Sequence, residues 1–589
     1  MIFESNRTAK MNLFSSIFFL SNVYNSLNAM QLKDMYYTSY LPSCDSKVYC
    51  DSELLHDVQM ARLYPDSKEF VDKKMKYNES YTLEKYEELK IQNDRKTPSK
   101  EQLQKFVYEH FEDGNELEVW VPPDFKEHIS LEERIQDTEY KKFANGLNQI
   151  WKILARKVKV EVKEKSDQYS LLYTPNGFCI PGGRFRELYY WDTYWIVNGL
   201  ILSDMVETAR GVIENIVYLV NKYGIMPNGA RVYYQRRSQP PFLILMFESY
   251  YKATRDSKFV EKHLKTLTSE FEWWQNNRKV KFVKDNKRYE MYRYFAPSNG
   301  PRPESYREDY ELAESIDTEI ERERWYGRMK SGAESGWDFS SRWFINKNGG
   351  YNGTLLDVNT PSLVVTDLNA VMHKNAVFLS EWWGKMGDKY RSKLYKEVAD
   401  KQLASIEEVL WNEQRGCWFD YDLKSQKPRD QFYPSNFAPL WTGSYTKPKI
   451  QVATRIIEYV KQEEMITNEL TARYHGQPCS KFESGQQWDQ PNAWPPVQVF
   501  LIQGLDRTGV PQAQEVAYSF AQNWVHTNYL GYKKAGFMFE KYHIRLAGET
   551  GGGGEYEPQT GFGWTNGVVF EMLDRYSDSL TANYKFEVQ

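Results

Sequence analysis

Six loop segments bring together carboxylates, arginines and tryptophans, residue types that can bind a sugar and cleave a glycosidic bond. They are residues 181–194, 227–241, 302–306, 334–343, 486–496 and 539–564. Glycosidic cleavage needs two carboxyl groups, one that protonates the leaving oxygen and one that activates water or attacks the sugar. Tryptophans keep such a site dry and can raise the pKa of the acid, and arginine forks orient carboxylates. Each loop alone could be structural, but their recurrence favours one shared site.

The chain lacks the sequence patterns of several other chemistries. The glycines of segment 181–194 match neither a dinucleotide-binding nor a phosphate-loop pattern. The five cysteines include no Cys-x-x-Cys and no zinc spacing. We therefore predict no metal and no cofactor. The net charge is −4, with Lys and Arg spread along the chain, which argues against a nucleic-acid partner.

Amphipathic helices must position these loops. After Asp204, apolar residues recur at helical spacing from Met205 to Val220, and Gly224 closes the run. Similar periodicity occurs at 54–63, 242–251, 259–274, 368–383, 394–411, 450–460, 497–505, 513–524 and 568–576. Strand-like alternation is scarce, with one hairpin predicted at 280–294. Alternating helices and loops predict an all-α barrel of paired helices that carries its functional loops on a rigid frame.

The N-terminus, two cysteines and the apolar runs bear on the location of the protein. Arg7 and Lys10 precede an apolar run at 13–20, so residues 1–29 are predicted to be a signal peptide, although the cleavage site fits poorly. We expect a secreted protein, with a cytoplasmic location as the alternative. Cys44 and Cys50 are either disulfide-bonded or free. The sequence contains no run of about 20 apolar residues, so we expect no transmembrane helix. The sequence does not predict the oligomeric state.

Two of the loops are long enough to identify a family. Residues 181–194 contain Pro-Gly-Gly-Arg-Phe-x-Glu-x-Tyr-x-Trp-Asp-x-Tyr, and residues 487–496 contain Gln-Trp-Asp-x-Pro followed by a small residue, Trp and Pro. These segments, together with the glycine-rich run 551–554, resemble the signatures of the trehalase family. Residues 54–56 and 61–68 are similar to the N-terminal segment of its animal members. The resemblance covers about residues 45 to 577.

The resemblance implies a fold, an activity and roles for individual residues. Trehalases are inverting hydrolases of α,α-trehalose on an (α/α)6 barrel, with trehalose and water as reactants. By resemblance, Asp338 matches the general acid and Glu540 the general base. Residue types alone could not choose Asp338 over Asp192 or Asp489. The positions that match substrate contacts are Arg184, Trp191, Asp192, Asn228, Arg237, Gln239, Arg302, Glu304, Trp494 and Glu555.

Several alternatives stay open at this point. A helical-barrel α-glucosidase acting on another oligosaccharide would need an open cleft, whereas a trehalase needs a closed pocket, for which 551–554 could be the lid. A sugar-binding homologue without catalysis would lack Asp338 or Glu540, and both are present. Arg236 stands beside Arg237, and either could face the sugar. The predicted organisation is an N-terminal helical segment at 30–150, the barrel at 151–577 and a tail at 578–589.

Overall fold

The computed structural model describes residues 41–586. The predicted signal peptide therefore lies outside the described residues. The helices, in chain order, are α1 (Lys47–Cys50), α2 (Glu53–Met60), α3 (Ser67–Val71), α4 (Glu79–Gln92), α5 (Lys100–His110), α6 (Ser130–Arg134), α7 (Thr138–Leu154), α8 (Val160–Glu164), α9 (Asp192–Leu202), α10 (Val206–Tyr223), α11 (Leu243–Thr254), α12 (Ser257–Arg278), α13 (Tyr306–Ala313), α14 (Glu319–Glu334), α15 (Thr366–Lys385), α16 (Lys389–Ser405), α17 (Ala438–Thr442), α18 (Lys449–Gln462), α19 (Pro495–Asp506), α20 (Pro511–Ala535) and α21 (Gly563–Arg575).

Shorter elements connect these helices. The 3-10 turns are Val232–Tyr234, Pro303–Ser305, Ser341–Trp343, Leu355–Asp357, Thr360–Ser362 and Pro434–Phe437, and Ile406–Leu410 is a π-helical turn. The strands are Lys74–Met75, Phe111–Glu112, Leu117–Val119, Ala155–Val158, Phe178–Cys179, Lys279–Lys284, Lys287–Tyr292, Leu363–Val364, Trp411–Asn412, Cys417–Trp418, Tyr421–Asp422, Lys427–Pro428, Asn492–Ala493 and Tyr542–His543. They form small antiparallel ladders of two or three strands.

Within residues 41–586, six helices form a closed inner ring. Each packs against the next in the order α9, α11, α15, α17, α19 and α21, and α21 returns to α9. These helices carry apolar residues around most of their circumference; in α19, eleven of the twelve residues are buried, from Pro495 to Asp506. A helix that is apolar on all sides is stable only when it is covered on all sides. The covering comes from an outer layer.

The outer layer consists of α7, α10, α12, α16, α18 and α20, which alternate with the inner helices along the chain. Helix α10 is typical, because Ala209, Val212, Ile213, Ile216 and Val220 are buried on one face. Gly224 ends it with a left-handed φ of 82°. The described residues therefore form the predicted (α/α)6 barrel.

The N-terminal part of the described chain packs on the end of the barrel where the loops lie. Residues of α1 to α5 share an apolar cluster with Tyr189, Tyr233 and Tyr234 of the barrel loops. Cys44 and Cys50 form a disulfide, so the bonded alternative is confirmed. At the other terminus, the backbone N–H of Ala582 donates to Asp137 Oδ2 at 2.9 Å. No described helix is long and apolar enough to cross a bilayer.

Most predicted elements are confirmed, and one needs correction. The hairpin at 280–294 forms from two antiparallel strands, and its turn residues Asp285 and Asn286 have positive φ. The helix predicted over 394–411 is shorter than expected. It ends at Ser405, a π-helical turn follows, and Trp411 begins a strand. The apolar spacing misled the prediction because Ile406 and Leu410 remain buried beyond the end of the α-helix.

Candidate active site

The inner helices begin at one end of the barrel, and the loops that enter them surround a single pocket. All twelve residues that the resemblance singled out line it: Asp338, Glu540, Arg184, Trp191, Asp192, Asn228, Arg237, Gln239, Arg302, Glu304, Trp494 and Glu555. The empty space is about 650 Å³, including its mouth.

A tight turn places Asp338 in this pocket. Helix α14 ends at Glu334, and Gly336 then adopts a left-handed φ of 77°. A Cβ atom at position 336 would lie 2.6 Å from the ring of Trp191. Both the backbone conformation and the close approach therefore require glycine. The turn thereby places Asp338 among the residues that line the pocket.

The surroundings of Asp338 suit a proton donor. Burial raises its pKa from the ordinary value to about 7. Arg302 and Arg237 act against this increase, and the nearby Glu555 carboxylate adds to it. A carboxyl group with such a pKa is protonated in a substantial fraction of molecules near neutral pH. It can therefore donate a proton to a leaving oxygen.

Glu540 lies on the loop between α20 and α21 and is held by hydrogen-bond donors. Its Oε1 accepts a hydrogen bond from the Tyr556 hydroxyl at 2.8 Å, and its Oε2 lies 3.4 Å from Lys541 Nζ. The backbone N–H of Glu540 donates to the carbonyl of Gln559 at 3.0 Å. The side chain is almost completely buried. These contacts fix the direction of a carboxylate that can accept a proton from water.

Arg237, and not Arg236, faces the pocket. Arg237 Nε donates to Asn228 Oδ1 at 2.9 Å, and Nη2 donates to Glu304 Oε1 at 2.6 Å. Burial acts to raise the pKa of Glu304, but the charges of Arg237 and Arg302 outweigh it, so the pKa is lowered. Arg236 points away and binds the carbonyl of Pro42 and the carboxylate of Asp45.

Arg302 connects the pocket to the glycine-rich segment. Its guanidinium makes a two-pronged contact with Asp309, at 2.9 Å from Nε and 2.6 Å from Nη2. Nη2 also donates to Glu555 Oε1 at 2.7 Å. Gly553, two residues earlier, has a φ of 78°, and a Cβ there would lie 2.6 Å from the carbonyl oxygen of Gly485. Because position 553 is a glycine, this segment can pack against the loop at 485 and place Glu555 at the pocket.

Arg184 is held by a residue of the N-terminal segment. Arg184 Nη2 donates to Asp66 Oδ1 at 2.7 Å, and its backbone N–H donates to Gln559 Oε1 at 2.8 Å. The guanidinium carbon lies 4.8 Å from the ring centre of Tyr556. Asp66 also caps the N-terminus of α3. The N-terminal segment therefore contributes directly to the order of the pocket.

Stacked indole rings form one wall. Trp488 and Trp494 are parallel within 1° at a centroid distance of 4.3 Å, and Trp337 stacks on Trp488 at 4.8 Å. Trp494 Nε1 donates to the carbonyl of Gln487 at 2.6 Å, which fixes the ring plane. Aromatic faces of this kind pack well against the C–H faces of a sugar ring and exclude water.

Asp192 and Asp489, which residue types alone could not exclude as the general acid, have different surroundings from each other. Asp192, at the start of α9, lines the pocket, and burial raises its pKa, with further contributions from Glu540 and Asp338. Asp489 lies outside the pocket lining and accepts hydrogen bonds from the Ser341 backbone N–H at 2.7 Å and the Ser340 hydroxyl at 3.0 Å. Asp489 therefore ties two loops together.

Several residues in and around the pocket were not among the predicted ones. Tyr556 and Lys541 contact Glu540, Gln487 accepts a hydrogen bond from Lys541 at 2.9 Å, and Asp66 holds Arg184. Tyr556 and Lys541 stand next to predicted residues in the chain, a signal that could have found them. Asp66 is 118 positions from Arg184, and no spacing indicates that contact. Among the described residues, no group of His, Cys, Asp and Glu is arranged to hold a metal ion.

Comparison with known proteins shows the family to which the chain belongs. The family model described as Trehalase matches residues 62–577. The chain belongs to the trehalase family. It is 44% identical to the human trehalase over 546 residues, covering 92% of each chain. It is 45% identical to the trehalase of Bombyx mori, covering 92% of this chain and 93% of that one.

A solved structure supports the fold. The neutral trehalase Nth1 from Saccharomyces cerevisiae aligns with a TM-score of 0.57 and 21% identity, covering 72% of this chain and 80% of that one. At this level of identity the likeness concerns the architecture. It agrees with the ring of inner and outer helices described above for this member of the trehalase family.

Proposed function

We propose that this chain hydrolyses α,α-trehalose to two glucose molecules, with Asp338 as general acid and Glu540 as general base. The observation that carries the proposal is that both carboxyl groups line one buried pocket together with Arg184, Arg237 and Arg302. A neutral disaccharide needs many hydrogen bonds and a surface that excludes water. The arginines and carboxylates of this pocket can supply the hydrogen bonds, and its indole rings can supply the surface. Family membership supports the same substrate.

The reaction is a single displacement. Asp338 transfers its proton to the glycosidic oxygen as the bond between this oxygen and the anomeric carbon breaks. Glu540 takes a proton from a water molecule, whose oxygen forms the new bond on the opposite face of the sugar. A water must fit between the base and the anomeric carbon, so the two carboxyl groups should be about 6.5–9.5 Å apart.

Proton NMR at early times tests this course. One glucose should appear as the β anomer, from the inverted carbon, and the other as the α anomer, whose bond to oxygen stays intact. Equal early signals of the two anomers support inversion. An early excess of the α anomer would mean retention through a covalent intermediate, and Glu540 would then have to act as a nucleophile.

The substrate is tested by glucose release from trehalose, maltose and sucrose under the same conditions. We expect trehalose to be cleaved far faster than the other two. Comparable rates on maltose would favour an α-glucosidase. Binding of trehalose without any glucose release would favour a sugar-binding protein.

We also propose that the protein is secreted. The disulfide between Cys44 and Cys50 supports this location, because such bonds persist mainly in oxidising compartments. N-terminal sequencing of the protein from its native source tests the proposal. A chain in the extracellular fraction that starts near residue 30 is expected, and an unprocessed chain in the cytosol with both thiols free would contradict it.

A further inference from the structure

A buried chain of polar contacts joins the loop of the proposed acid to the loop of the proposed base. It runs through Gln487, whose side-chain amide contacts both loops. Gln487 Nε2 donates to the backbone carbonyl of Asp338 at 2.5 Å, and Gln487 Oε1 accepts from Lys541 Nζ at 2.9 Å. Lys541 Nζ in turn lies 3.4 Å from Glu540 Oε2. Two side chains therefore connect the residues assigned to acid and base.

The orientation of the Gln487 amide follows from the groups on either side of it. A backbone carbonyl can only accept a hydrogen bond, and an ammonium can only donate one. If the amide were turned over, its NH2 group would face the Lys541 ammonium and its oxygen would face the Asp338 carbonyl. Both contacts would then be lost. The orientation in the structure is therefore the one that joins the two loops.

Further contacts fix Gln487 on the acid side of this chain. The backbone N–H of Trp488 donates to the carbonyl of Phe339 at 3.0 Å, next to the contact between Gln487 and Asp338. The backbone carbonyl of Gln487 accepts from Trp494 Nε1 at 2.6 Å. Gln487 is thus attached both to the acid loop and to the indole wall, and it can anchor a group that reaches it from the base loop.

The group that reaches it, Lys541, is a fully buried cation. No part of its side chain is exposed, and within the described residues Glu540 is the carboxylate that pairs with it. Its Nζ lies 4.9 Å from the ring centre of Trp494 and 5.4 Å from that of Tyr556. Burial of an ammonium is unfavourable unless acceptors and opposite charge compensate for it. An apolar side chain would fill the same space without that cost, so the charge itself needs an explanation.

Lys541 can affect the reaction only through the residues that it contacts. Gln487 and Glu540 line the pocket, whereas Lys541 is not part of its lining. The backbone of the base loop is held separately, because Ala493 pairs with Tyr542 in a short antiparallel ladder. Loss of the ammonium should therefore leave this loop in place and change mainly the side chains around it.

We propose that Lys541 and Gln487 form a brace that sets the position of the base, Glu540, relative to the acid. The proposal rests on the proposed function, which assigns these two roles. Gln487 is attached to the backbone of Asp338 and holds the Lys541 ammonium, and the ammonium holds one oxygen of the base. The backbone N–H of Gln559 also approaches that oxygen, at 3.5 Å, but carries no charge. Because both carboxyl groups act on one sugar, their separation must suit the water between base and anomeric carbon.

Lys541→Met tests the brace, because methionine fills most of the space of lysine without its charge. We expect kcat on trehalose to fall about 10- to 100-fold, the loss for one hydrogen bond to a charged group. KM should stay within about twofold, because Lys541 does not line the pocket. Lys90→Met is the matched control. This buried lysine pairs with Glu53 at 3.0 Å in the N-terminal segment, and its loss should lower the melting temperature without lowering kcat.

A double-mutant cycle with Glu540→Gln separates positioning of the base from a general loss of structure. If Lys541 acts through Glu540, Lys541→Met should slow the wild type but change the residual rate of Glu540→Gln by less than about twofold. A purely structural role would lower the rate by the same factor in both backgrounds, and this result would overturn the proposal.

Gln487→Met removes the anchor of the brace and replaces Lys541→Met in the cycle if that variant does not fold. It also removes the contact with Asp338, so its rate is measured on α-glucosyl fluoride, whose leaving group needs little help from an acid. We expect a loss of about fivefold, as for one neutral hydrogen bond. The double variant with Lys541→Met should be no slower than Lys541→Met alone, within about twofold, because either change breaks the brace. An unchanged rate in Gln487→Met would contradict it.

Failure of the brace and failure of the proposed function give different results. If Glu540→Gln loses its activity while folded Lys541→Met keeps a normal kcat, the brace alone is wrong. If Glu540→Gln itself keeps more than about a tenth of the wild-type rate, Glu540 is not the base. The proposed mechanism and the brace would then both be wrong.

Discussion

The two carboxyl groups assigned to acid and base have different surroundings. Asp338 is buried near charges of both signs, those of Arg302, Arg237 and Glu555, and burial dominates its pKa. Glu540 directly contacts two donors, the Tyr556 hydroxyl and the Lys541 ammonium. Burial raises the pKa of the first group, so that it can carry a proton near neutral pH, whereas hydrogen-bond donors hold the oxygens of the second in place. Residues of one chemical class thus acquire opposite tasks from their neighbours.

The largest expected effect comes from removing either group. Asp338→Asn and Glu540→Gln should each lower the rate on trehalose by about 100- to 10,000-fold. α-Glucosyl fluoride then distinguishes the roles, because fluoride leaves with little help from an acid. Asp338→Asn should retain most of its activity on the fluoride, and Glu540→Gln should lose activity on both substrates. The reverse pattern would exchange the two assignments, and melting curves establish that both variants fold.

The pH profile should show the raised pKa of Asp338. The acid works only when protonated, and it is protonated below its pKa of about 7. We therefore expect kcat/KM on trehalose to fall above pH 7, approaching tenfold per unit. This basic limb should be absent when Asp338→Asn acts on α-glucosyl fluoride. A limb that persists unchanged there would belong to a different group.

Replacement of Arg237 tests the surroundings of Asp338, the assigned acid. Arg237→Lys should lower kcat/KM by roughly 10- to 100-fold, because an ammonium cannot contact Asn228 and Glu304 with the same planar geometry. Arg236→Lys is the matched control and should stay within about twofold of the wild type, as expected for an exposed ion pair. Equal losses in both variants would contradict the assignment of Arg237 to the pocket.

Removal of the Tyr556 hydroxyl tests the surroundings of Glu540, the assigned base. Tyr556→Phe should lower kcat about fivefold with little change in KM, since one hydrogen bond to the base is lost. Tyr518→Phe is the control, because that hydroxyl donates to the carbonyl of Ser579 away from the pocket. An unchanged kcat in Tyr556→Phe would show that this contact does not position Glu540 for reaction.

The smallest effect is expected at Asp66. Asp66→Asn keeps a side chain that can cap α3 but removes the charge paired with Arg184. Because the pair is partly exposed, we expect KM for trehalose to rise only about threefold. Asp45→Asn, which removes the partner of Arg236, should leave KM unchanged. A fall in melting temperature without any change in KM would give Asp66 a purely structural role.

Much of the barrel could be predicted because burial leaves a periodic trace in the sequence. The periodic pattern indicates which residues are buried, but it does not distinguish an α-helix from the π-helical turn at Ile406–Leu410. Long motifs identified the pocket residues by resemblance. The choice between Arg236 and Arg237 depended on contacts with Pro42 and Asp45, almost 200 positions away. The ion pair between Asp66 and Arg184 likewise could not be predicted, because it arises from tertiary packing and not from a local sequence pattern.

The stacked pair Trp488 and Trp494 has an optical consequence. Two parallel indoles with centroids 4.3 Å apart are close enough for their electronic transitions to couple. The pair then acts as one coupled chromophore, whose ultraviolet transitions depend on the distance and the relative orientation of the two rings. Because Trp494 lines the pocket, a sugar that enters it changes the environment of this chromophore. The wall of the pocket can therefore report its own occupancy without any added label.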